Sequence, residues 1–249
     1  MKYFIITGAS KGLGEGIAMA LLHQNHTLFC VSRTESDALK KMAAAKSCNL
    51  RFLLFDLSDI NNIPKLCKEL YGSIDRQGAR GIYLVNNAGL IEPVGRIEDN
   101  NPAMVDKHLR INLLAPMSLV ACFIKEFKEL AIEKRILNIS SGAARFPYFG
   151  WSSYCTGKAA IDMFSRCIAE EQQTARFPAE VMAVAPGIID TGMQTTIRNT
   201  SEEQFIHKKK FVEYKETGML VAPSLAGKQL AHLLLSDQFK SGEVIDLRE

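Results

Sequence analysis

The chain has 249 residues, 47% of them hydrophobic and 23% charged, with a formal net charge of +3, proportions that suit one α/β domain with a substantial core. Lys and Arg are scattered rather than striped, so neither a nucleic-acid face nor a membrane surface is indicated, and the one basic run, Lys208 to Lys210 after His207, reads as a solvated helix face. The N-terminal apolar run, Tyr3 to Ile6, is too short for a signal peptide or a membrane span, and the six cysteines (Cys30, Cys48, Cys67, Cys122, Cys155, Cys167) show no C-x-x-C spacing; the chain is expected in the cytoplasm, with reduced thiols, no disulfides and no structural metal.

No linker, internal repeat or low-complexity tract divides the sequence, so residues 1–249 read as a single domain. Short apolar runs recur in chain order at Tyr3 to Thr7, Thr27 to Ser32, Leu50 to Asp56, Ile82 to Asn86, Ile136 to Ser140, Val181 to Ala185 and Val244 to Asp246, with helical stretches between them. Most are continuous rather than alternating, the pattern of strands buried on both faces. About seven such strands alternating with helices predict an α/β Rossmann fold, a doubly wound parallel sheet with helices on both sides. Ligands of such sheets bind beyond the carboxyl ends of the strands.

The first strand runs into T-G-A-S-K-G-L-G, residues 7–14, and then into a helical pattern through Ile17, Leu21 and Leu22. Gly8, Gly12 and Gly14 permit a tight turn and close approach of backbone N–H groups to a pyrophosphate. After the second strand, where an NAD site carries an acid for the ribose, the chain has Ser32 and Arg33. Arg33, with Lys11 from the glycine loop, is chemistry for the 2′-phosphate of NADP, against the plainer reading of an exposed strand-end arginine. The cofactor is therefore expected to be NADP(H).

S-S-Y-C-T-G-K-A-A, residues 152–160, sets Tyr154 and Lys158 one turn apart on a predicted helix. An ammonium group near a phenol favours phenolate, and an opposite charge in contact typically lowers such a pKa by about one to three units, enough to make Tyr154 an acid or base near neutrality. A lone Y-x-x-x-K is common, and most such pairs only pack a ring beside a solvated lysine.

Thr7-Gly8-x-x-x-Gly12-x-Gly14, Asn86-Asn87-Ala88-Gly89, Asn112, Ser141, Tyr154-x-x-x-Lys158 and Pro186-Gly187 together, in this order, resemble the short-chain dehydrogenase/reductase family over nearly the whole chain. The resemblance implies an oxidoreductase in which Tyr154 is the general acid/base, Lys158 lowers its pKa and holds the nicotinamide ribose, Ser141 hydrogen-bonds the reacting carbonyl oxygen, and Asn112 holds a water linking Lys158 to solvent. Ser140 competes with Ser141; the offset of thirteen residues from Tyr154 favours Ser141. Cofactor contacts are implied for Gly8, Ser10, Lys11, Gly12, Leu13, Gly14, Arg33, Asp56, Leu57, Asn87, Ala88, Gly89, Tyr154, Lys158, Pro186, Gly187, Ile189 and Thr191, with Asn86 and Ile188 beside them. For Asp56 and Thr191 helix capping is a rival role.

Four aromatics, Phe146, Tyr148, Phe149 and Trp151, fall in six positions of A-R-F-P-Y-F-G-W. They build a flat apolar pocket or anchor a loop on the core, and Phe149 and Trp151, with Ser141, Tyr154 and Met193, are the candidate substrate contacts. Met219 is a further candidate. N-L-L-A-P-M, I-S-S-G-A-A-R-F-P-Y-F-G-W and G-E-V-I-D-L-R-E resemble a branch of the family that reduces one carbonyl of an aromatic 1,2-diketone. A 3-ketoacyl-carrier-protein-type reductase and a non-catalytic NADP(H) sensor are the alternatives. Residues 188–218 are long for a connection and read as a substrate lid. At the C-terminus Asp246 is followed by Leu247, Arg248 and Glu249 where the family often has Asp-Gly-Gly, so the resemblance favours a homodimer, with a tetramer possible, through the predicted helix at about Pro102 to Leu130.

Overall fold

All seven apolar runs pair as strands of one parallel sheet in the computed structural model, which describes residues 1–248. In chain order the elements are β1 (Lys2–Thr7), α1 (Gly12–Leu21), β2 (His26–Ser32), α2 (Asp37–Ala45), β3 (Asn49–Leu54), α3 (Ile63–Tyr71) and β4 (Gly81–Asn86). Then come α4 (Pro102–Leu109), a π turn at Arg110–Leu114, α5 (Ala115–Phe127), β5 (Glu133–Ile139), α6 (Ser152–Gln172), β6 (Glu180–Ala185), α7 (Gly192–Asn199), α8 (Lys208–Glu216), α9 (Pro223–Leu235) and β7 (Val244–Asp246).

The strand order is β3-β2-β1-β4-β5-β6-β7. Chain direction across the sheet reverses between β1 and β4, where Ile5 of β1 stands in register with Phe29 on one side and Leu84 on the other. A crevice opens at that point because the loops leaving the two strands turn to opposite faces. Successive side chains of β1 serve the two faces. Tyr3 and Ile5 pack with Leu66 and Leu70 of α3 and Phe123 and Phe127 of α5. Phe4 and Ile6 pack with Ile17 and Leu21 of α1, Leu39 of α2 and Leu230 and Leu234 of α9. The molecule is thus three layers with two cores.

Helix starts follow their local chemistry. Ser36 Oγ accepts from the Leu39 N–H at 3.0 Å and caps α2; Asn101 Oδ1 accepts from the Ala103 N–H at 2.9 Å, and Pro102 opens α4. The predicted helix at 102–130 is interrupted by the π turn and ends at Phe127. By composition the stretch Pro102–Phe127 is apolar and long enough to cross a membrane, yet its inner residues Leu119, Val120, Phe123 and Phe127 are spent on the sheet.

Two strand limits differ from the sequence reading by more than one residue. β5 begins at Glu133 rather than Ile136, because the charged residues there are accommodated: Arg135 Nε donates to Glu180 Oε2 at 2.8 Å, and its Nη1 donates to the carbonyl oxygens of Leu234 and Ser236, each at 2.9 Å. β3 ends at Leu54 rather than Asp56, since the Asp56 carboxylate folds back to accept from the Ser58 N–H at 2.9 Å and hydroxyl at 2.8 Å.

Candidate active site

The loops at the carboxyl ends of β1, β2, β4, β5 and β6 surround a cleft of about 1000 Å³. Its floor is stitched by Thr7, whose Oγ1 accepts from the N–H groups of Asn87 at 2.9 Å and Ala88 at 3.0 Å. Asn87 Nδ2 donates to the Thr7 carbonyl at 2.9 Å. β1 and β4 are thereby fixed to each other where the crevice opens.

Beside that seam the glycine loop turns into α1. Gly8 has φ +67°, and a Cβ on Gly14 would collide with the Gly8 carbonyl and the Asn87 side-chain amide, so the tight cradle requires glycine at both places. Gly8, Ser10, Lys11, Gly12 and Leu13 line the cleft, whereas Gly14 lies buried beneath it. Arg33 lines it at the end of β2, exposed and opposite the loop that carries Lys11. Asp56, Leu57, Asn87, Ala88 and Gly89 also line it. Two hydrogen bonds from Ser58 hold the Asp56 carboxyl below the usual carboxylate range, so Asp56 makes a local turn rather than a helix cap. Asn86 is turned inward, donating to Asn138 Oδ1 at 2.8 Å.

Pro186, Gly187, Ile188, Ile189 and Thr191 close the far wall. Thr191 precedes α7 but makes no side-chain cap bond; its methyl group faces Gly12, where a Cβ would stand 3.2 Å away. A cradle of backbone N–H groups that admits no side chain, a cation at the end of β2 and a long cleft fit a nicotinamide dinucleotide.

The candidate reacting groups come from two elements. Ser141 follows β5, and its Oγ accepts from the Ala143 N–H at 3.2 Å. Tyr154 and Lys158 lie one turn apart on the buried face of α6, with exposures of 7% and 6%. The Lys158 Nζ is 5.8 Å from the Tyr154 ring centroid and donates to the Ile139 carbonyl at 2.7 Å. Burial pushes the phenol up to about 12, opposed by its contact with the Ser141 hydroxyl. This corrects the expectation of a phenol lowered by its neighbouring ammonium: desolvation decides the Tyr154 shift, and the lysine is engaged by the end of β5. Burial also lowers Lys158 to about 8, with the Asp162 carboxylate one turn further along α6 opposing the fall. Ser140, the competitor of Ser141, sits beside Asp162 on the inner side of the cleft.

Asn112 lies beneath the cleft, within the π turn. Its amide is spent on Leu90, accepting from that N–H at 2.9 Å and donating to that carbonyl at 2.8 Å, and it lies 3.0 Å from His108 Nε2. The side chain braces the loop after β4, and its Oδ1 and the Lys158 Nζ both approach Gly89, where a Cβ would stand 3.3 and 3.8 Å from them.

Of the four loop aromatics, Tyr148 and Trp151 line the cleft. Phe149 does not; the Arg96 guanidinium covers its ring at 5.1 Å. Phe146 is 66% exposed. Trp151 belongs to a third apolar cluster with Tyr154, Phe205 and Phe211, stacked on Phe205 with centroids 4.6 Å apart and planes at 5°. Met193 lines the cleft, and Met219 lies outside it, 57% exposed. Residues that the sequence reading passed over also line it: Ile91, Gln194, Phe211, Tyr214 and Arg248. Ile91 comes from the loop after β4; the positions of the other four depend on how 188–218 and the C-terminus fold back, which no motif spacing encodes.

A family model described as short chain dehydrogenase matches residues 2–202. The chain is 42% identical over 249 residues to a benzil reductase ((S)-benzoin forming) of Bacillus cereus, covering 100% of both chains. It is 37% identical over 250 residues to the protein of the same description in Bacillus subtilis, covering 100% of this chain and 99% of the other. Among solved structures, that of the KRED1-Pglu enzyme matches with a TM-score of 0.80 at 27% identity, covering 98% of this chain and 100% of the other. The chain therefore is an oxidoreductase that uses a nicotinamide cofactor, and it belongs to the short chain dehydrogenase family.

Proposed function

We propose that the protein is an NADPH-dependent carbonyl reductase that reduces one carbonyl of an aromatic 1,2-diketone to the α-hydroxyketone. The observation that carries the reading is the convergence of the Ser141 hydroxyl, the Tyr154 phenol and the Lys158 ammonium at the inner end of a cleft whose outer end carries Arg33. The cofactor supplies the hydride for the carbonyl carbon. As negative charge develops on the carbonyl oxygen, Ser141 and Tyr154 are placed to donate to it. A phenol held near 12 is protonated at neutral pH. An alkoxide is a stronger base than a phenolate, so the proton passes from Tyr154 to substrate downhill. Lys158 keeps a positive charge below the phenol and offsets its loss of a proton.

Arg33 and Lys11 supply the positive charge that a 2′-phosphate requires. The flat walls of Tyr148 and Trp151 suit an aryl group, and the similarity to the two benzil reductases supports a diketone. Residues 188–218 serve as the lid, with Phe205 and Phe211 packed against Trp151. Two copies pair through the outer faces of α5 and α6, where Leu114 and Met117 stand 41% and 37% exposed along an apolar groove that Phe164 and Ile168 of α6 also line. Six free thiols fit a reducing compartment, and we place the protein in the cytoplasm.

The test is a carbonyl panel with both nucleotides: benzil, 1-phenyl-1,2-propanedione, simple aryl ketones and a 3-ketoacyl thioester. Diketones should be reduced fastest, with NADPH. Arg33→Ala should raise the KM for NADPH by roughly 10- to 100-fold, the worth of a charge-assisted pair, and leave that for NADH within about twofold. Faster turnover of the thioester, or equal effects on both nucleotides, would overturn the substrate or the cofactor assignment respectively.

A further inference from the structure

Arg248, next to the last residue of the chain, lines the same cleft as Ser141 and Tyr154. Its side chain lies between the loops that follow β5 and β6. A Cβ on Gly142 would stand 3.1 Å from one of its Nη atoms, and a Cβ on Gly187 would stand 3.3 Å from its Cγ. Gly142 follows Ser141 directly, so the guanidinium reaches the cleft wall one residue from the hydroxyl assigned to the reacting oxygen. Tyr148 and Tyr214 face it from the opposite side.

Asp246 fixes the guanidinium in place. Its Oδ1 accepts from the Arg248 backbone N–H at 3.0 Å and from Nε at 2.8 Å, and its Oδ2 accepts from Nη2 at 2.5 Å. The Asp246 side chain is 3% exposed and that of Arg248 53%. A buried carboxylate gripping one edge of a planar fork leaves the other edge's donors directed away from it, with the orientation set in advance. The ion pair is neutral as a whole. It therefore suits an uncharged acceptor better than a carboxylate, whose charge Asp246 opposes.

On the diketone reading above, we propose that Arg248 is a specificity-determining residue: held by Asp246, its guanidinium donates to the second carbonyl oxygen of a vicinal dicarbonyl while Ser141 and Tyr154 hold the first. The side chain at the end of the polypeptide then selects dicarbonyls over matched monoketones.

The experiment compares kcat/KM for 1-phenyl-1,2-propanedione, propiophenone and benzoylformate in the wild-type enzyme and in Arg248→Met. Diketones are intrinsically more reactive than monoketones, so the informative quantity is the change in their ratio. Loss of one hydrogen bond from a charged donor predicts a fall of roughly 10- to 100-fold for the diketone, with less than about a twofold change for propiophenone and for the KM of NADPH, which also reports an intact fold. Equal losses on both ketones, or an unchanged diketone rate, overturn the proposal. So does a wild-type preference for benzoylformate, which marks an anion site instead. A wild-type enzyme that does not reduce the diketone sinks the dicarbonyl reading itself, whereas one that reduces it with an unchanged ratio in Arg248→Met sinks only the role of Arg248.

Discussion

A phenol pushed up to about 12 is a proton donor waiting for a stronger base, and the lysine one turn away is the more sensitive of the two to pH. Moving the phenol from about 10 to about 12 disfavours phenolate by roughly 3 kcal/mol: this lowers the share of the base form that oxidation needs, and it takes the same amount from the driving force with which Tyr154 donates its proton in reduction. Lys158 is held near 8, lowered by burial and raised by Asp162, while the Asp162 carboxyl, itself raised by burial, faces Ser140, Lys158, Arg166 and Arg145. The ammonium form is present below about 8 and is lost as pH rises through that value. kcat/KM for reduction should therefore be level on the acid side and fall above about pH 8. Asp162→Asn removes the charge that supports Lys158, so its pKa falls further and the alkaline limb moves to lower pH by about one unit. The variant should match wild type near pH 6 and lose several-fold near pH 8; superimposable profiles in the two enzymes would show that Lys158 does not set the limb. The pair Tyr154 and Lys158 was legible from spacing alone, since i and i+4 share a helix face. The direction of the phenol shift was not, because burial is a property of the folded cleft and outweighed the local charge on which the spacing argument relied.

At the scale of elements, the segment 188–218 that we propose as the lid is fastened by aromatic packing. Phe205 is fully buried, stacked on Trp151 and edge-on to Phe211 of α8. Asp190, paired with Lys215 at 2.6 Å, and the backbone bonds of Ile188 and Asp190 with Val221 hold its two ends together. Phe205→Ala should loosen the segment while the sheet remains folded. Truncating a buried Phe costs about 3 kcal/mol or more, a factor on the order of 100 in the population of the open segment. Trypsin cleavage at Arg198 and Lys208–Lys210 under native conditions measures that population, and it should accelerate correspondingly, with a higher KM for the carbonyl. Cleavage at the wild-type rate would place the fastening elsewhere. The sequence marked Trp151 as a pocket residue and Phe149 with it. Both stand in one short loop, and only the fold separates them: Trp151 faces Phe205, and Phe149 faces Arg96. The strands were easier, because a run such as Phe4-Ile5-Ile6 is buried on both sides and reads as such. β5 was shortened in the reading for the opposite reason, since Lys134 and Arg135 conceal a strand whose arginine finds its acceptors some hundred residues away.

On the whole-molecule scale, one face of the three-layer body remains apolar after both cores are filled. α5 spends Leu119, Val120, Phe123 and Phe127 on the sheet and still presents Met117 outward, next to Leu114 of the π turn and across from Phe164 and Ile168 of α6. The groove between them, floored by Ala121, Ile124, Phe164 and Ile168 and edged by Lys125, Lys128 and Glu171, runs along both helices. Its apolar floor and charged margin are the anatomy of a protein interface. Pairing by a twofold axis brings each groove against its copy, and α6 with α5 gives two long helices a side, a suitable frame for the roughly 1,200–2,000 Å² that a stable contact buries. The proposed contact would also steady the site, because α6 carries Tyr154 and Lys158 on its inward face. Sedimentation velocity should give twice the mass of one chain for the wild type. Leu114→Asp combined with Met117→Asp places four carboxylates in the symmetric contact, two from each copy, without touching either core, and should return the mass to that of one chain with the far-ultraviolet spectrum unchanged. A single-chain wild type, or a double variant that stays paired, would mean that this face is covered by something other than a second copy.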